Sequence, residues 1–421
     1  MFSFVHAADI HLDSPLHRLD LYEGAPVEAM RSATRRAFEN LVLLALEEQV
    51  DFVLISGDLY DGDWRDYNTG LYFLSQVSRL QEASVPVYIV AGNHDAASRI
   101  TKSLRLPEYV HLFPANGPET FQLSKLDVAI HGQSFPTPAV KQDLSLNYPP
   151  SVSGWFNIGM LHTCLTGREG HAPYAPCTVE GLTSIGYDYW ALGHVHKRES
   201  IREAPCIVFP GNIQGRHIRE SGPKGCLLVK VDERGRSSTM FKPLDVIRWE
   251  EVVADVTHSE SGHDVVDTIS QSLEGLLEQT PGLPLVTRVV VSGLSRGTDT
   301  LAADPERWKN EIRAAAVEIG AGRIWIEKVK LRPESSSELG RSAGAGGPVG
   351  EILSLLDEIQ VDPDQLLELG RTLQEIAIRL PRELKEGEER IDTGDAEWLK
   401  ALLGQVRPML LQRLRGEGEQ P

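Results

Sequence analysis

The chain has 421 residues, 41% of them hydrophobic, and a formal net charge of −18. That length leaves room for two or three domains, and no run approaches the roughly 18 consecutive apolar residues of a membrane helix. The acidic excess is spread along the chain with no basic tail, which argues against a protein that grips nucleic acid through a strongly positive surface.

In chain order, residues 2–8 read as a short buried strand. Residues 27–50 predict a helix, because Ala29, Ala33, Ala37, Leu41, Leu44 and Ala45 recur near helical spacing. DFVLIS (51–56) predicts a second strand, 68–83 a helix and PVYIV (86–90) a third strand. This alternation implies an α/β fold, a mixed or parallel sheet with helices on its faces. Beyond residue 110 short strands follow at 120–124, 127–132, 156–163, 189–192, 206–210 and 226–231, with a short helix at 178–186. Residues 245–333 carry a new strand–helix alternation, with strands at 248–256, 284–292 and 323–331 and helices at 263–279 and 305–319. The Gly/Ser/Ala-rich segment 334–350 reads as a flexible linker. Amphipathic helices are expected after it, at about 350–359, 363–380 and 395–415. The organisation is therefore a domain over 1–244, a small α/β domain over 245–333, and a helical region over 351–421.

The four cysteines, Cys164, Cys177, Cys206 and Cys226, form no CxxC pair, so neither a structural zinc site nor a disulfide framework is expected. The N-terminal residues MFSFVHAADI show no leader pattern, and a cytoplasmic, membrane-free protein is the expectation.

Polar clusters follow the predicted strands. Asp9 and His11 end the first strand as an i, i+2 pair, which on a strand shares one face. Asp58 and Asp61 lie in GDLYD, where Gly57 permits a sharp turn. Asn93, His94 and Asp95 lie in GNHD, His162 in GMLHT, and His194 and His196 in GHVH. Each segment alone is most often structural. Together they place polar side chains at the carboxyl ends of strands, where open α/β sheets put their sites. Oxygen and imidazole donors without thiolate favour Mn²⁺, Fe²⁺ or Zn²⁺ over a soft-metal site, and a pair of Mn²⁺ ions is the expectation. Two such ions about 3.5–4 Å apart can clamp a phosphodiester and acidify a water. Asp58, central between the donor groups, is the expected bridge.

DIH, GDLYD, GNHD, the isolated His162 and GHVH, in this order, resemble the calcineurin-like metallophosphoesterase superfamily. The resemblance implies one metal held by Asp9, His11, Asp58 and His196 and a second by Asp58, Asn93, His162 and His194. It implies that His94 protonates the leaving oxygen or stabilises the phosphate, oriented by Asp95. HAADIHLDSP, ISGDLYDG, HTCLTGREGHAPYAPC, YDYWALGHVHKRE and FPGNIQGRH are similar to the SbcD-type DNA-repair exonuclease branch, and within it to bacterial YhaO-like members. What that likeness implies is a four-layered sandwich of two mixed sheets between helices, a small α/β cap domain and a helical C-terminal region. It also implies a two-metal phosphodiester hydrolase, a 3′–5′ DNA exonuclease subunit working with an SMC-like ATPase bound by the helical region. A homodimer through helix 27–50 would resemble the family as well. Many nucleases of the branch have a histidine where this chain has Asp61, whereas other members carry aspartate, so exo or endo action is left open.

Asp61, Arg99, His171, Asn212, Arg216 and His217 are the candidate substrate contacts, and Arg35 and Arg36 are weighed as phosphate contacts. The bland reading of these charges is a solvated face. Two other functions compete with the nuclease: a small-molecule phosphodiesterase or phosphatase on the same site, and a non-catalytic scaffold.

Overall fold

The computed structural model describes residues 1–14, 27–61, 67–97, 105–165, 174–331, 348–379, 391–400 and 402–403. The chain forms two compact units: residues 1–250 with 282–287, and residues 251–281 with 288–421.

The first unit runs β1 (Phe2–Ala7), α1 (Val27–Arg31), α2 (Ala33–Glu47), β2 (Phe52–Ser56), α3 (Tyr67–Glu82), β3 (Val87–Val90), α4 (Asn93–Ala97) and β4 (Val110–Leu112). It continues with β5 (Glu119–Leu123), β6 (Val128–Gly132), β7 (Phe156–His162), α5 (Val179–Ser184), β8 (Tyr189–Gly193), β9 (Glu199–Arg202), β10 (Cys206–Phe209), β11 (Gly225–Val231) and β12 (Ser237–Pro243). These strands form two six-stranded sheets, ordered β12-β11-β1-β2-β3-β4 and β5-β6-β7-β8-β10-β9. The central pairs are parallel, β1 with β2 and β2 with β3 in one sheet, β6 with β7 and β7 with β8 in the other. Antiparallel pairs flank them.

Strand periodicity builds the layers. In β1, Val5 and Ala7 join the cluster that holds Phe38 and Leu41 of α2 and Phe73 and Val77 of α3. Phe4 points the other way, with Phe52 and Leu54, and packs against Ile130, Ile158, Met160 and Tyr189 of the second sheet. The far face of the second sheet presents Trp190 and Leu161 to Leu182 of α5. The result is the four-layered α/β sandwich. Each large apolar side chain so buried contributes about 1.5–3 kcal/mol. Both faces of the central strands are covered, so they read as continuous apolar runs, as parallel strands do.

Reading the residues alone leads to a single sheet, and the second sheet is what the structure adds. Strands β4, β9 and β12 are also absent from the sequence reading, being short or polar. The predicted helix 27–50 is broken at Ser32 into α1 and α2.

Two buried features of the sandwich carry predictions. His6 is fully buried between the sheets, with Nδ1 3.0 Å from the Tyr189 hydroxyl and Nε2 3.2 Å from Leu192 O. Burial lowers its pKa from 6.5 to about 3, the Leu192 carbonyl opposing. The unfolded chain therefore binds a proton that the folded chain refuses across this window. Stability is full above the unfolded value and falls as pH drops, by about 1.4 kcal/mol per pH unit from this group. Urea unfolding of the metal-free chain against pH is expected to show this slope, and His6→Gln to remove it. An unchanged slope in the variant would assign the acid sensitivity elsewhere.

Gly193 ends β8 where the two sheets approach. A Cβ there would lie 1.8 Å from the Ser56 carbonyl oxygen. Gly193→Ala must separate these backbones, and a destabilisation of about 3 kcal/mol or more is expected in thermal melts.

The second unit holds α6 (Gly262–Gln279), α7 (Arg296–Ala303), α8 (Pro305–Gly320), α9 (Pro348–Val361) and α10 (Pro363–Arg379). A three-stranded sheet, β13 (Arg248–Asp255), β14 (Leu285–Ser292) and β15 (Ile324–Leu331), accompanies them. Helix starts are coded locally. Ser261 and Asp264 form a capping box on α6, and Asp304 caps α8 ahead of Pro305. Helix α7 was not foreseen in the sequence. Residues 348–350, read as the end of a linker, form the first turn of α9, and the rest of 334–350 lies outside the described residues. Leu356, Ile359, Leu366 and Leu369 of α9 and α10 gather with Leu399 and Leu403. Most of the predicted helix 395–415 lies outside the described residues. Among the described residues no helix is long and apolar enough to cross a membrane.

Candidate metal centre

The loops after β1 and β2 are joined backbone to backbone: Asp9 N donates to Gly57 O, His11 N to Asp58 O and Leu12 N to Leu59 O. Asp9, His11, Asp58 and His194 all have positive φ, at 52°, 47°, 52° and 98°. Non-glycine residues enter this region at a cost that the surrounding structure must cover, and such residues gather at functional sites. This corrects the sequence reading of DIH and GHVH as strand pairs. β1 stops at Ala7 and β8 at Gly193, so left-handed turns, not strand pleat, aim these side chains.

The turns bring together what the sequence separates. Potential ligand atoms of Asp9, His11 and His196 lie within 4.8 Å of one another, as do those of His11, Asp58 and His94, and those of Asp58, His162 and His194. Asp58 thus stands in two groups. Its Oδ2 is 3.9 Å from His11 Nε2 and 3.5 Å from His162 Nε2. Asn93 joins the second side, its Oδ1 3.0 Å from His162 Nε2. The His162 ring is oriented by Nδ1, which donates to Ser56 O at 2.9 Å. His194 N donates to both oxygens of Asp9, at 3.1 and 3.0 Å.

The electrostatics suit cations. Burial pushes the Asp9 carboxyl up, while His196 and His162 oppose. Burial also works against the charge of Asp58, but His162, His11 and His94 outweigh it and hold that carboxyl below its usual range. Buried His11 has no hydrogen-bond partner for Nδ1 among the described residues, and its Nε2 faces His196 Nε2 at 3.4 Å. Two imidazole nitrogens converging on each other and on buried carboxylates leave lone pairs unsatisfied unless a cation takes them. The donor set is oxygen and nitrogen, with no thiolate, and it fits a divalent ion.

His94 stands at the rim, its side chain 41% exposed. Its Nδ1 is 2.6 Å from Asp61 Oδ1, and its backbone N donates to Asp58 Oδ1 at 2.9 Å. Burial lowers the His94 pKa, but the bond to Asp61 and the Asp58 charge prevail and raise it. Here the expectation for Asp95 needs correcting. Its carboxylate is fully committed to the backbone N–H groups of Leu59, Tyr60 and Gly92, at 3.1, 2.9 and 3.1 Å. Asp95 braces the GDLYD loop against the GNHD loop, and Asp61 is the residue that orients His94.

The remaining candidates divide. Arg216 reaches the rim, with NH1 3.6 Å from Asp61 Oδ2 and 3.3 Å from Ser14 Oγ. His217 is 54% exposed beside Glu220. Asn212 is not positioned as a substrate contact: it is 1% exposed and its amide donates to Gln214 O and Glu220 Oε2. Arg35 is taken by Asp13, which it grips with Nε and NH2. Arg99 and His171 lie outside the described residues. The structure adds a role that the sequence does not assign: Glu220 and Lys224 hold His196 from behind. No spacing rule ties Glu220 to His196.

The fold and the donor groups define a metal-dependent phosphoesterase, and the family comparison agrees. The calcineurin-like phosphoesterase model matches residues 2–198, and a model for the middle domain of the metallophosphoesterase YhaO matches residues 249–333. The chain belongs to the calcineurin-like metallophosphoesterase family, whose members use a dinuclear metal centre. It is 35% identical to the metallophosphoesterase YhaO of Bacillus subtilis over 295 residues, covering 69% of this chain and 72% of that one. It is 27% identical to the DNA double-strand break repair protein Mre11 of Methanopyrus kandleri, over 78% of this chain and 71% of that one. A solved dimetal phosphatase from Danio rerio is similar at a TM-score of 0.34 and 13% identity, covering 57% of this chain and 99% of that one.

Proposed function

We propose that this chain is a divalent-metal phosphodiesterase that acts on DNA, as a 3′–5′ exonuclease. The observation that carries the hydrolase reading is Asp58, which stands in two of the three donor groups, with the Asp61–His94 pair beside it. Asp9, His11, Asp58 and His196 would hold one cation, and Asp58, Asn93, His162 and His194 the other; Mn²⁺, Fe²⁺ and Zn²⁺ all suit these oxygen and imidazole donors, and Mn²⁺ is our first choice. Bound cations supply Lewis acidity, which polarises a phosphoryl oxygen and acidifies a nucleophilic water.

The chain's own residues do the rest. Asp61 accepts from His94 Nδ1, so Nε2 of the protonated ring is free to donate to the leaving oxygen or to a phosphoryl oxygen. Arg216 presents a fixed guanidinium at the same rim, suited to a phosphate oxygen. The DNA part rests on the similarity to a protein named for double-strand break repair. The resemblance of the sequence motifs to the SbcD-type branch extends the proposal to its partners: residues 351–421 would dock on an SMC-like ATPase, and helices α1 and α2 would form a homodimer contact.

A second reading, hydrolysis of small phosphodiesters, is favoured by one observation. Among the described residues the rim cation Arg216 is already paired with Glu220 and close to Asp61, in a chain of net charge −18, so the described part of the rim offers a polyanion little free positive charge. Incubation with Mn²⁺ and either duplex DNA with labelled 3′ ends or bis-p-nitrophenyl phosphate separates the two. Stepwise loss of 3′ label is expected. Cleavage of the small diester alone, with the ATPase partner also supplied, would leave only the second reading standing.

A further inference from the structure

His196 is gripped by groups outside the donor set. Its Nδ1 lies 2.6 Å from Glu220 Oε1. Its backbone carbonyl accepts from Lys224 Nζ at 3.1 Å and from Asn212 N at 3.3 Å. Glu220 itself is 4% exposed, at the end of a short 3₁₀ turn, Ile218–Glu220. Burying a carboxylate costs several kcal/mol unless every lone pair is matched. Here the matching is complete: Oε2 accepts from Asn212 Nδ2 at 3.0 Å and from Arg216 N at 2.8 Å, and Oε1 accepts from Arg216 NH2 at 3.0 Å as well as from His196.

We propose that Glu220 is the positioning residue of the metal subsite containing His196, setting the tautomer and aim of that ring and thereby the subsite's hold on its cation. This rests on the reading of the centre as a two-metal site. A carboxylate only accepts, so a 2.6 Å contact places the proton on His196 Nδ1. Arg216 NH2, 3.3 Å from the same nitrogen, is then a second donor converging on Oε1 and not a donor to the ring. Nε2 keeps its lone pair, and it is Nε2 that faces Asp9 at 3.8 Å and His11 at 3.4 Å. A carboxylate behind the ring also fixes the ring's orientation. On the other side of the centre, His162 Nδ1 is held by a neutral backbone carbonyl, Ser56 O. His196 and His162 therefore differ by one charge behind the ring, and Glu220 also ties His196 to Arg216 at the rim.

The test is Mn²⁺ binding to the full chain without substrate, followed by calorimetry and by the electron paramagnetic resonance signal. Wild type is expected to bind two Mn²⁺ and to show a spin-coupled pair. Glu220→Gln keeps the volume and removes the charge. One of its two affinities should fall by about 10–100-fold, the usual cost of losing such a partner. The other should stay within about threefold, and a mononuclear signal should dominate at limiting Mn²⁺. In a His196→Ala background the same change should have no further effect on Mn²⁺ binding, because Glu220 then has no ring to aim. Unchanged affinities in folded Glu220→Gln, equal weakening of both, or an effect that persists without His196 would overturn the proposal. If Glu220→Gln does not fold, nitrogen-15 NMR of the histidines in wild type decides, since a proton on His196 Nε2 at alkaline pH would also overturn it. Wild type that binds no Mn²⁺ would sink the metal-site reading along with this one, whereas inactivity on DNA would touch neither.

Discussion

His94→Gln is expected to lower turnover of DNA or of a small phosphodiester by about 100-fold or more, the scale of a general acid's contribution, while two metal ions still bind. The reason is geometric. His94 Nδ1 is held by Asp61 at 2.6 Å, which leaves Nε2 as the working nitrogen at a partly exposed rim. Glutamine fills similar space and lacks a transferable proton. Metal content measured beside turnover separates this role from that of a ligand, and joint loss of both would reassign His94 to the metals. The Asp61 partner gives the pH signature. Burial depresses the His94 pKa, but Asp61 and Asp58 outweigh it and raise it. If protonated His94 is the acid, activity falls as pH rises through its pKa. Asp61→Asn lowers that pKa, so the alkaline fall should move to lower pH. A fall that moved upward, or did not move, would remove Asp61 from this role.

Asp58→Asn should have the larger effect on the metals. Asp58 stands in both the His11 group and the His162–His194 group, and its Oδ2 is the oxygen near both histidines. Losing a shared carboxylate should weaken both ions by more than 100-fold, beyond the roughly 10–100-fold typical of residues that touch only a ligand. Added Mn²⁺ stabilises a protein that binds it, by about 2.7 kcal/mol at a hundred times Kd. Wild type should therefore melt at higher temperature with Mn²⁺, and Asp58→Asn should not. A variant that kept the Mn²⁺ shift in melting would show that another residue bridges. The two changes are distinguishable side by side, since His94→Gln should keep the Mn²⁺ stabilisation that Asp58→Asn loses.

Much of this centre was written locally. Motifs such as GDLYD, GNHD and GHVH mark strand ends because a glycine with φ of 96°, Gly57, or a polar turn must follow a buried strand there. Apolar runs such as DFVLIS and PVYIV marked β2 and β3 because strands covered on both faces leave no room for polar residues. The five helices and three strands read from 245 onward are likewise local signals, whereas α7 carries no such signal and most of the helix at 395–415 lies outside the described residues. The sequence by itself therefore determined which residue types gather at the strand ends, the chain positions of most strands and the family to which the chain belongs.

The tertiary structure decided the rest, and the reason is distance along the chain. Two sheets form instead of one because Phe4, Phe52 and Leu54 need a second apolar face, and Ile130, Ile158 and Tyr189, far along the chain, supply it. Asp61 and not its near neighbour Asp95 holds His94, because Asp95 is consumed by three backbone N–H groups of adjoining loops. Glu220 sits 24 residues beyond His196, and only the return of the chain through β10 and the turn after it places that carboxylate behind the ring. Periodicity reports a residue's own strand or helix. It carries no record of which distant side chain holds a ring nitrogen, and those pairings, Asp61 with His94 and Glu220 with His196, are what orient the two rings.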